Sequence, residues 1–240
     1  MRNRFWAGAA ACLPVAASAA AYGAVLGVLA EQKAMAWQTL LMSDFVIFAG
    51  SAQFVVVDMW THPLPVLSIA LSVLLINLRY MLVGASLEPL FRGKSLWHKA
   101  TRMHLAADEN WAVTMAAHRR GEADTAYLFG GGVCMFTFWT VATMIGYRLG
   151  GWVPDPEMLA LDFAMTAVFT ALTTGLWRGK RDLLPWLTAV ILAVLTSQLL
   201  PDRWHILVGG VGGALVEALL PQSDASDEPE PEAETAEAAI

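Results

Sequence analysis

The sequence predicts an all-α polytopic membrane protein, and three observations carry that reading. First, 57% of the 240 residues are hydrophobic and the mean hydropathy is +0.52, against roughly 45–50% apolar residues in an ordinary soluble domain. Second, the charged residues, 15% of the chain, fall in clusters. Third, the stretches between clusters approach or reach the roughly 17–25 residues that a helix needs to cross a bilayer. A soluble fold would have nowhere to bury them. The expected architecture is about six full transmembrane helices, a broken or re-entrant helix pair over residues 34–60, and a short amphipathic helix over 103–117.

The formal net charge of −6 belongs to one end of the chain. After Pro221 come Asp224, Asp227, Glu228, Glu230, Glu232, Glu234 and Glu237, without a single Lys or Arg. Setting those seven acids aside leaves 14 acids against 15 bases, a net of +1. The chain therefore divides into a transmembrane domain, 1–221, and an acidic tail, 222–240, whose Pro/Glu/Ala composition predicts disorder. The acidic balance gives no reason to expect a nucleic-acid partner. Cys12 and Cys134 lie in apolar runs and read as small buried side chains, neither disulfide partners nor metal ligands.

Arg2 and Arg4 precede an apolar run from Phe5 to Ala30. Ala17-Ser18-Ala19 resembles a signal cleavage site, but the run is too long for a signal core. Ala19, Gly23 and Gly27, spaced by four, give one smooth helix face for close packing. A retained first span follows, with a kink expected near Pro14. Over 34–60, Asp44 and Asp58 bracket the segment, Gly50-Ser51 interrupts it and Thr61-His62-Pro63-Leu64-Pro65 ends it. Residues 64–87 form a span, 88–102 a polar loop, and 103–117 a short segment carrying Asp108, Glu109 and Asn110. Four further apolar stretches are 125–147, 158–177, 183–200 and 204–220.

Orientation follows from the Lys/Arg bias of short loops. If neither 34–60 nor 103–117 crosses, one side collects Arg2, Arg4, Arg92, Lys94, Lys99, Arg102, Arg119, Arg120, Arg178, Lys180 and Arg181. The other keeps Lys33, Arg148 and Arg203. That split places both termini in the cytoplasm. Trp6, Trp37, Trp60, Trp152, Trp177 and Trp204 near span ends suit interfacial anchoring. Gly209-Gly210 with Gly212-Gly213 predicts a close helix contact, which a partner subunit could supply.

Two polar knots interrupt otherwise apolar segments: Gly50-Ser51-Ala52-Gln53 and Asn77-Leu78-Arg79-Tyr80. An Arg at membrane depth costs about 2.5–3.5 kcal/mol on insertion scales. A helix broken at Gly50 would aim free N–H groups and a positive partial charge into the membrane interior, a ready carboxylate site. The alternative is a packing notch with Gln53 bonded to a neighbouring helix. Arg79 either snorkels to the interface or faces inward toward Asp44, Asp108 or Glu109. Asn77, two residues away, lies on a different helix face. Asp108 and Glu109 either sit on a surface helix or close the cytoplasmic end of a pathway. Asp44 and Asp162 are candidates for proton coupling, or exposed caps near a membrane surface; the cap is the simpler expectation. Ser43-Asp44-Phe45 and Leu161-Asp162-Phe163 form a faint echo. No phosphate-cradling glycine loop, HExxH or nucleophilic triad is visible, so neither an enzyme nor a cofactor is expected.

Four stretches resemble the AzlC family, the large subunit of branched-chain amino-acid permeases or exporters. They are Pro14 with Tyr22-Gly23-Ala24-Val25-Leu26-Gly27; Met42-Ser43-Asp44-Phe45 through Phe48-Ala49-Gly50-Ser51-Ala52-Gln53-Phe54; Asn77-Leu78-Arg79-Tyr80-Met81-Leu82; and Ala107-Asp108-Glu109. Asp162-Phe163 fits the family's later segment. The resemblance implies a bacterial inner-membrane secondary transporter of small apolar amino acids, working in export with a small AzlD-type membrane subunit. On that reading Gly50, Ser51, Ala52, Gln53, Asn77 and Arg79 bind substrate, and Asp44, Asp108, Glu109 and Asp162 gate or couple. A passive channel and a non-transporting assembly or regulatory subunit are the competing classes.

Overall fold

The computed structural model describes residues 2–152, 179–199 and 204–220, together with the isolated positions 170 and 174. The regular elements among the described residues are all helical. The chain forms two compact units, Met1–Leu176 and Trp177–Ile240. The expected span 158–177 apart from those two positions, the candidate Asp162 and the acidic tail lie outside the described residues.

The first unit is built on two long helices, α1 (Arg2–Gln32) and α9 (Thr125–Gly150). The apolar run of α1 continues through Pro14, which sits inside the helix. Asp124 caps α9, its Oδ1 accepting from the Ala126 and Tyr127 N–H groups at 2.9 and 3.0 Å. The two helices meet backbone to backbone. A β-carbon on Gly8 or Gly27 would fall on the Tyr127 or Thr143 carbonyl, and one on Gly130 or Gly146 on the Phe5 or Ala24 carbonyl. The small-residue face expected on α1 is thus real, and it extends past Gly23 and Gly27 down to Gly8. Contacts advance in the same sense along both chains, from 8 against 127 to 27 against 143. The helices therefore run parallel, and the chain between them makes one net return across the membrane.

That return is α4 (Val66–Asn77) with α5 (Arg79–Ser86). The expected single span is interrupted at Leu78, whose N–H bonds to Leu75 O at 3.2 Å in a tightened turn. Residues 66–86 are apolar and long enough to cross, as are 3–32 and 125–150.

The segment 34–60 does not cross. Its helices α2 (Trp37–Val46) and α3 (Gly50–Asp58) have 10 and 9 residues, about 15 Å each at 1.5 Å per residue. That is half a hydrocarbon core. The Met35 carbonyl accepts from Tyr147 Oη at 2.7 Å, near the C-terminal end of α9. Phe48 meets Phe136 edge-on at mid-helix, centroids 5.3 Å apart. The Asp58 carbonyl, at the end of α3, accepts from Lys33 Nζ at 3.3 Å. The chain dips to the middle and returns to the face it left. The reversal occurs at Phe48, held at φ +36, with Ala49 extended.

A second dip enters from the opposite face, where a polar loop was expected over 88–102. After the short α6 (Glu88–Phe91), α7 (Leu96–Met103) rises along α9. His98 Nε2 lies 3.1 Å from Thr125 Oγ1 and the Arg102 guanidinium 4.8 Å from the Phe129 ring centroid. The chain turns beside Gly132, where Leu105 abuts the backbone. It descends as α8 (Asp108–Arg119), the expected 103–117 helix shifted along the chain. Arg4 Nη1 reaches the Gly121 carbonyl just beyond it, at 3.4 Å. The two dips touch tip to tip: His104 Nε2 donates to the Phe45 carbonyl at 2.7 Å, satisfying one open carbonyl at the end of α2.

The second unit contains a 3-10 turn at Lys180–Asp182, α10 (Leu183–Leu199) and α11 (Trp204–Leu219). Three of the four glycines of α11 make the expected close contact within the chain. Gly209 and Gly213 lie over Ala189, and Gly212 meets Leu192; Gly210 faces open space.

Candidate functional site

Between the two tips lies a cavity of about 120 Å³. Both half-helix N-termini open into it, Gly50-Ser51 of α3 and Asp108-Glu109 of α8. They differ in one respect. The first helical bond of α3 runs from Gln53 N to Ala49 O at 2.9 Å. The N–H groups of Gly50, Ser51 and Ala52 thus have no intrahelical acceptor, no side chain caps them, and the first turn holds no acid. The α8 terminus supplies its own negative charge through Asp108 and Glu109. Asn110 completes it: Oδ1 accepts from Ala107 N at 2.7 Å and Nδ2 donates to Leu105 O at 3.0 Å.

Arg79 joins the two tips. Its Nη1 pairs with Asp108 at 2.6 Å and its Nη2 donates to Ser51 Oγ at 3.0 Å. The guanidinium sits 5.1 Å from the Tyr80 ring centroid. The snorkelling alternative is therefore wrong: the partners of Arg79 lie inside the bundle. Of its three candidate acids, Asp108 takes it. Asp44 is elsewhere, and Glu109 lines the cavity without an ion pair among the described residues. Both charged groups of the Arg79–Asp108 pair stay partly open, at 36% and 43% exposure, toward a space walled by Phe48, Phe54, Met135, Tyr22 and Trp139.

Three residues expected at the site stand away from it. Ala52 and Gln53 are buried on the other face of α3, and neither lines the cavity. Asn77 also lies off it, its Oδ1 buried without a hydrogen-bond partner among the described residues. The surface-cap expectation for Asp44 is overturned, because its exposure is 0%. Its Oδ1 accepts from Gln53 Nε2 at 2.7 Å and from Trp139 Nε1 at 3.2 Å. Its Oδ2 lies 2.7 Å from Thr143 Oγ1. Gln53 also donates to Ser43 Oγ at 3.0 Å, and its Oε1 accepts from Trp139 Nε1 at 3.1 Å. This cluster ties α2 and α3 to α9 behind the cavity wall, with Trp139 belonging to both.

Sequence reasoning missed Trp139, Thr143 and His104. The first had a signal: unlike the anchoring tryptophans it sits in mid-span, and Thr143 follows four residues later on the same face. Cys12 and Cys134 are free thiols, and no cluster of possible metal ligands occurs among the described residues.

Fold and cavity define a polytopic helical membrane protein whose polar centre is made by two re-entrant helix pairs. Residues 14–153, which hold every residue of that centre, match the AzlC protein family, and the chain belongs to it. A membrane protein of Helicobacter pylori described as uncharacterized is 22% identical over 188 residues, 78% of this chain and 81% of the relative. A Bacillus subtilis protein named branched-chain amino acid transport protein AzlC is 23% identical over 211 residues, 86% and 82% of the two chains. No solved structure matches.

Proposed function

We propose that this protein is the large subunit of a secondary transporter that exports small apolar α-amino acids across the bacterial inner membrane. One observation carries the reading: the cavity offers two unfilled and opposite electrostatic partners between apolar walls. The bare N-terminus of α3 suits a carboxylate. The unpaired Glu109 carboxylate suits an ammonium group. Phe48, Phe54 and Met135 suit an apolar side chain. A zwitterion with a branched aliphatic side chain meets all three demands at once. The name of the Bacillus subtilis relative supports the same substrate class.

In this reading Arg79 clasps the tips of both re-entrant pairs and bars the path between them. Substrate at the α3 terminus competes for the clasp through its carboxylate, and one pair then opens at a time. Alternating access around a site at discontinuous helices is a known transporter design. A small AzlD-type membrane subunit completes the transporter, and both termini of this chain face the cytoplasm.

The test is efflux of labelled valine, leucine, isoleucine and methionine from preloaded cells carrying the chain, the chain with its small partner, or neither. Saturable efflux of these substrates, abolished by Arg79→Ala and by Glu109→Gln at matched expression, is expected. Full efflux in both variants would remove the site assignment, and equal efflux in all strains the function.

A further inference from the structure

Asp44 plays no part in the contacts proposed for substrate, yet it is the most enclosed acidic group described. Its surroundings are neutral. The donors on its oxygens are Gln53 from α3, and Trp139 and Thr143 from α9. The other titratable groups on the elements around it are Arg2, Arg4, Cys12, Tyr22 and Glu31 of α1, Tyr127, Cys134, Tyr147 and Arg148 of α9, Asp58 of α3, and His104 at the tip of the second pair. Among the described side chains none of these hydrogen-bonds to its carboxyl or pairs with it. Tyr147 and His104 are bonded to the backbone carbonyls of Met35 and Phe45. Asp108 and Glu109 reach only the cavity side of Trp139.

The hydrogen count of the cluster is informative. Gln53 has two amide hydrogens, one for Ser43 Oγ and one for Asp44 Oδ1. Thr143 has one hydroxyl hydrogen and two acceptors in reach, Asp44 Oδ2 at 2.7 Å and the Thr140 carbonyl at 2.9 Å. When Asp44 is ionised, Thr143 donates to it. When Asp44 is neutral, Oδ2–H donates to Thr143, and Thr143 turns its hydrogen to the Thr140 carbonyl. Both states are fully bonded with every heavy atom in place. Among the described residues no cation pairs with the carboxyl, so nothing there holds it permanently as an anion.

We propose that Asp44 is the proton-carrying carboxyl of this protein, neutral while the α2–α3 pair is seated on α9 and exchanging its proton with water when that pair lifts away. The proposal rests on the transport reading above. The link to the cavity is short: Trp139 donates to Asp44 from one edge and forms the cavity wall with its ring. Gln53 stands in the first turn of α3, whose preceding residues form the proposed carboxylate site. Lifting the pair breaks the bonds to Trp139 and Thr143 together and wets the carboxyl. The carboxyl then exchanges its proton with water on the face where α2 begins and α3 ends.

Infrared spectroscopy of the purified full chain in lipid tests this directly. A neutral, water-shielded carboxyl gives a C=O band separate from ionised carboxylates. That band is expected to vanish in Asp44→Asn, whose amide mimics the neutral acid, and to shift in Thr143→Val, which removes its acceptor. A spectrum unchanged by either substitution overturns the proposal. In proteoliposomes containing the chain and its partner subunit, Asp44→Asn is expected to retain leucine–leucine exchange and to lose leucine accumulation driven by a pH gradient. Gradient-driven accumulation equal to the parent's also overturns it. Absence of leucine exchange in the parent is instead a failure of the transport reading, and the infrared bands still decide the state of Asp44.

Discussion

The Trp139 ring lies against the backbone of Gly50, with Cη2 only 2.8 Å from where a β-carbon at position 50 would stand. The start of α3 is therefore set by an indole that is itself anchored to Asp44 and Gln53. Gly50→Ala forces a choice between moving the indole and moving the half-helix. Overpacking of this kind costs about 1–3 kcal/mol. The expected result is a lower melting temperature and loss of efflux. Gly50→Ala with Trp139→Phe is expected to fall short of the sum of the two single losses, as neighbours sharing one space do.

Arg79 is expected to matter for transport far more than for stability. Its pair with Asp108 is partly open to the cavity, and such exposed pairs contribute about 0–1 kcal/mol. Arg79→Lys keeps the charge but cannot reach Asp108 and Ser51 with two planar N–H groups at once. Near-parental melting with strongly reduced efflux is the expected outcome. A large loss of stability in Arg79→Lys would mean that the clasp is mainly structural.

Gln53→Ala is expected to behave in the opposite way. The amide lies behind the cavity wall and donates to Asp44 and Ser43. Removing a buried partner costs about 1–3 kcal/mol. Thermal melting of the purified protein should fall, while the KM for leucine stays within about twofold, since no contact to substrate is lost. A KM change without a melting change would place Gln53 in the cavity after all.

The α1–α9 seam makes a prediction about assembly. Gly27→Leu would drive a side chain into the Thr143 carbonyl. The helices would have to separate, at well over the roughly 1–3 kcal/mol of ordinary overpacking. Loss of protein from the membrane fraction is the expected readout. Gly210→Leu in α11, which faces open space, serves as the control that leaves expression intact.

Membrane class, the span positions within the described residues and the broken helix at 34–60 were legible because each leaves a one-dimensional trace. Apolar length marks a span, and a Gly-Ser pair between two acids marks a break. Arg79 was legible for the same reason, as a charge in an apolar run. Its choice of Asp108 over Asp44 was not, because that depends on which tips meet in space. Likewise α7 hid in a segment whose polar residues suit a loop and an interfacial helix equally. Gln53 misled for a simple reason. Its sequence neighbours line the cavity, but a helix turns about 100° per residue, so Ser51 and Gln53 face opposite ways. Trp139 and Thr143 are distant from Asp44 in sequence, by 95 and 99 residues, and only the parallel seam brings them to it.

That seam also decides which parts of the first unit are free to travel. With a carbonyl standing where each close-packed glycine would carry a methyl, neither long helix can spin or slide against the other without collision. The two behave as one stiff mast. Any opening of the cavity must be carried by the short helices around it: the Trp139 indole and Thr143 hydroxyl tie one pair to the mast, and the Arg79 guanidinium and His104 imidazole tie the two pairs to each other. Changing the guanidinium or the imidazole alters how the two pairs part without touching a residue of the mast.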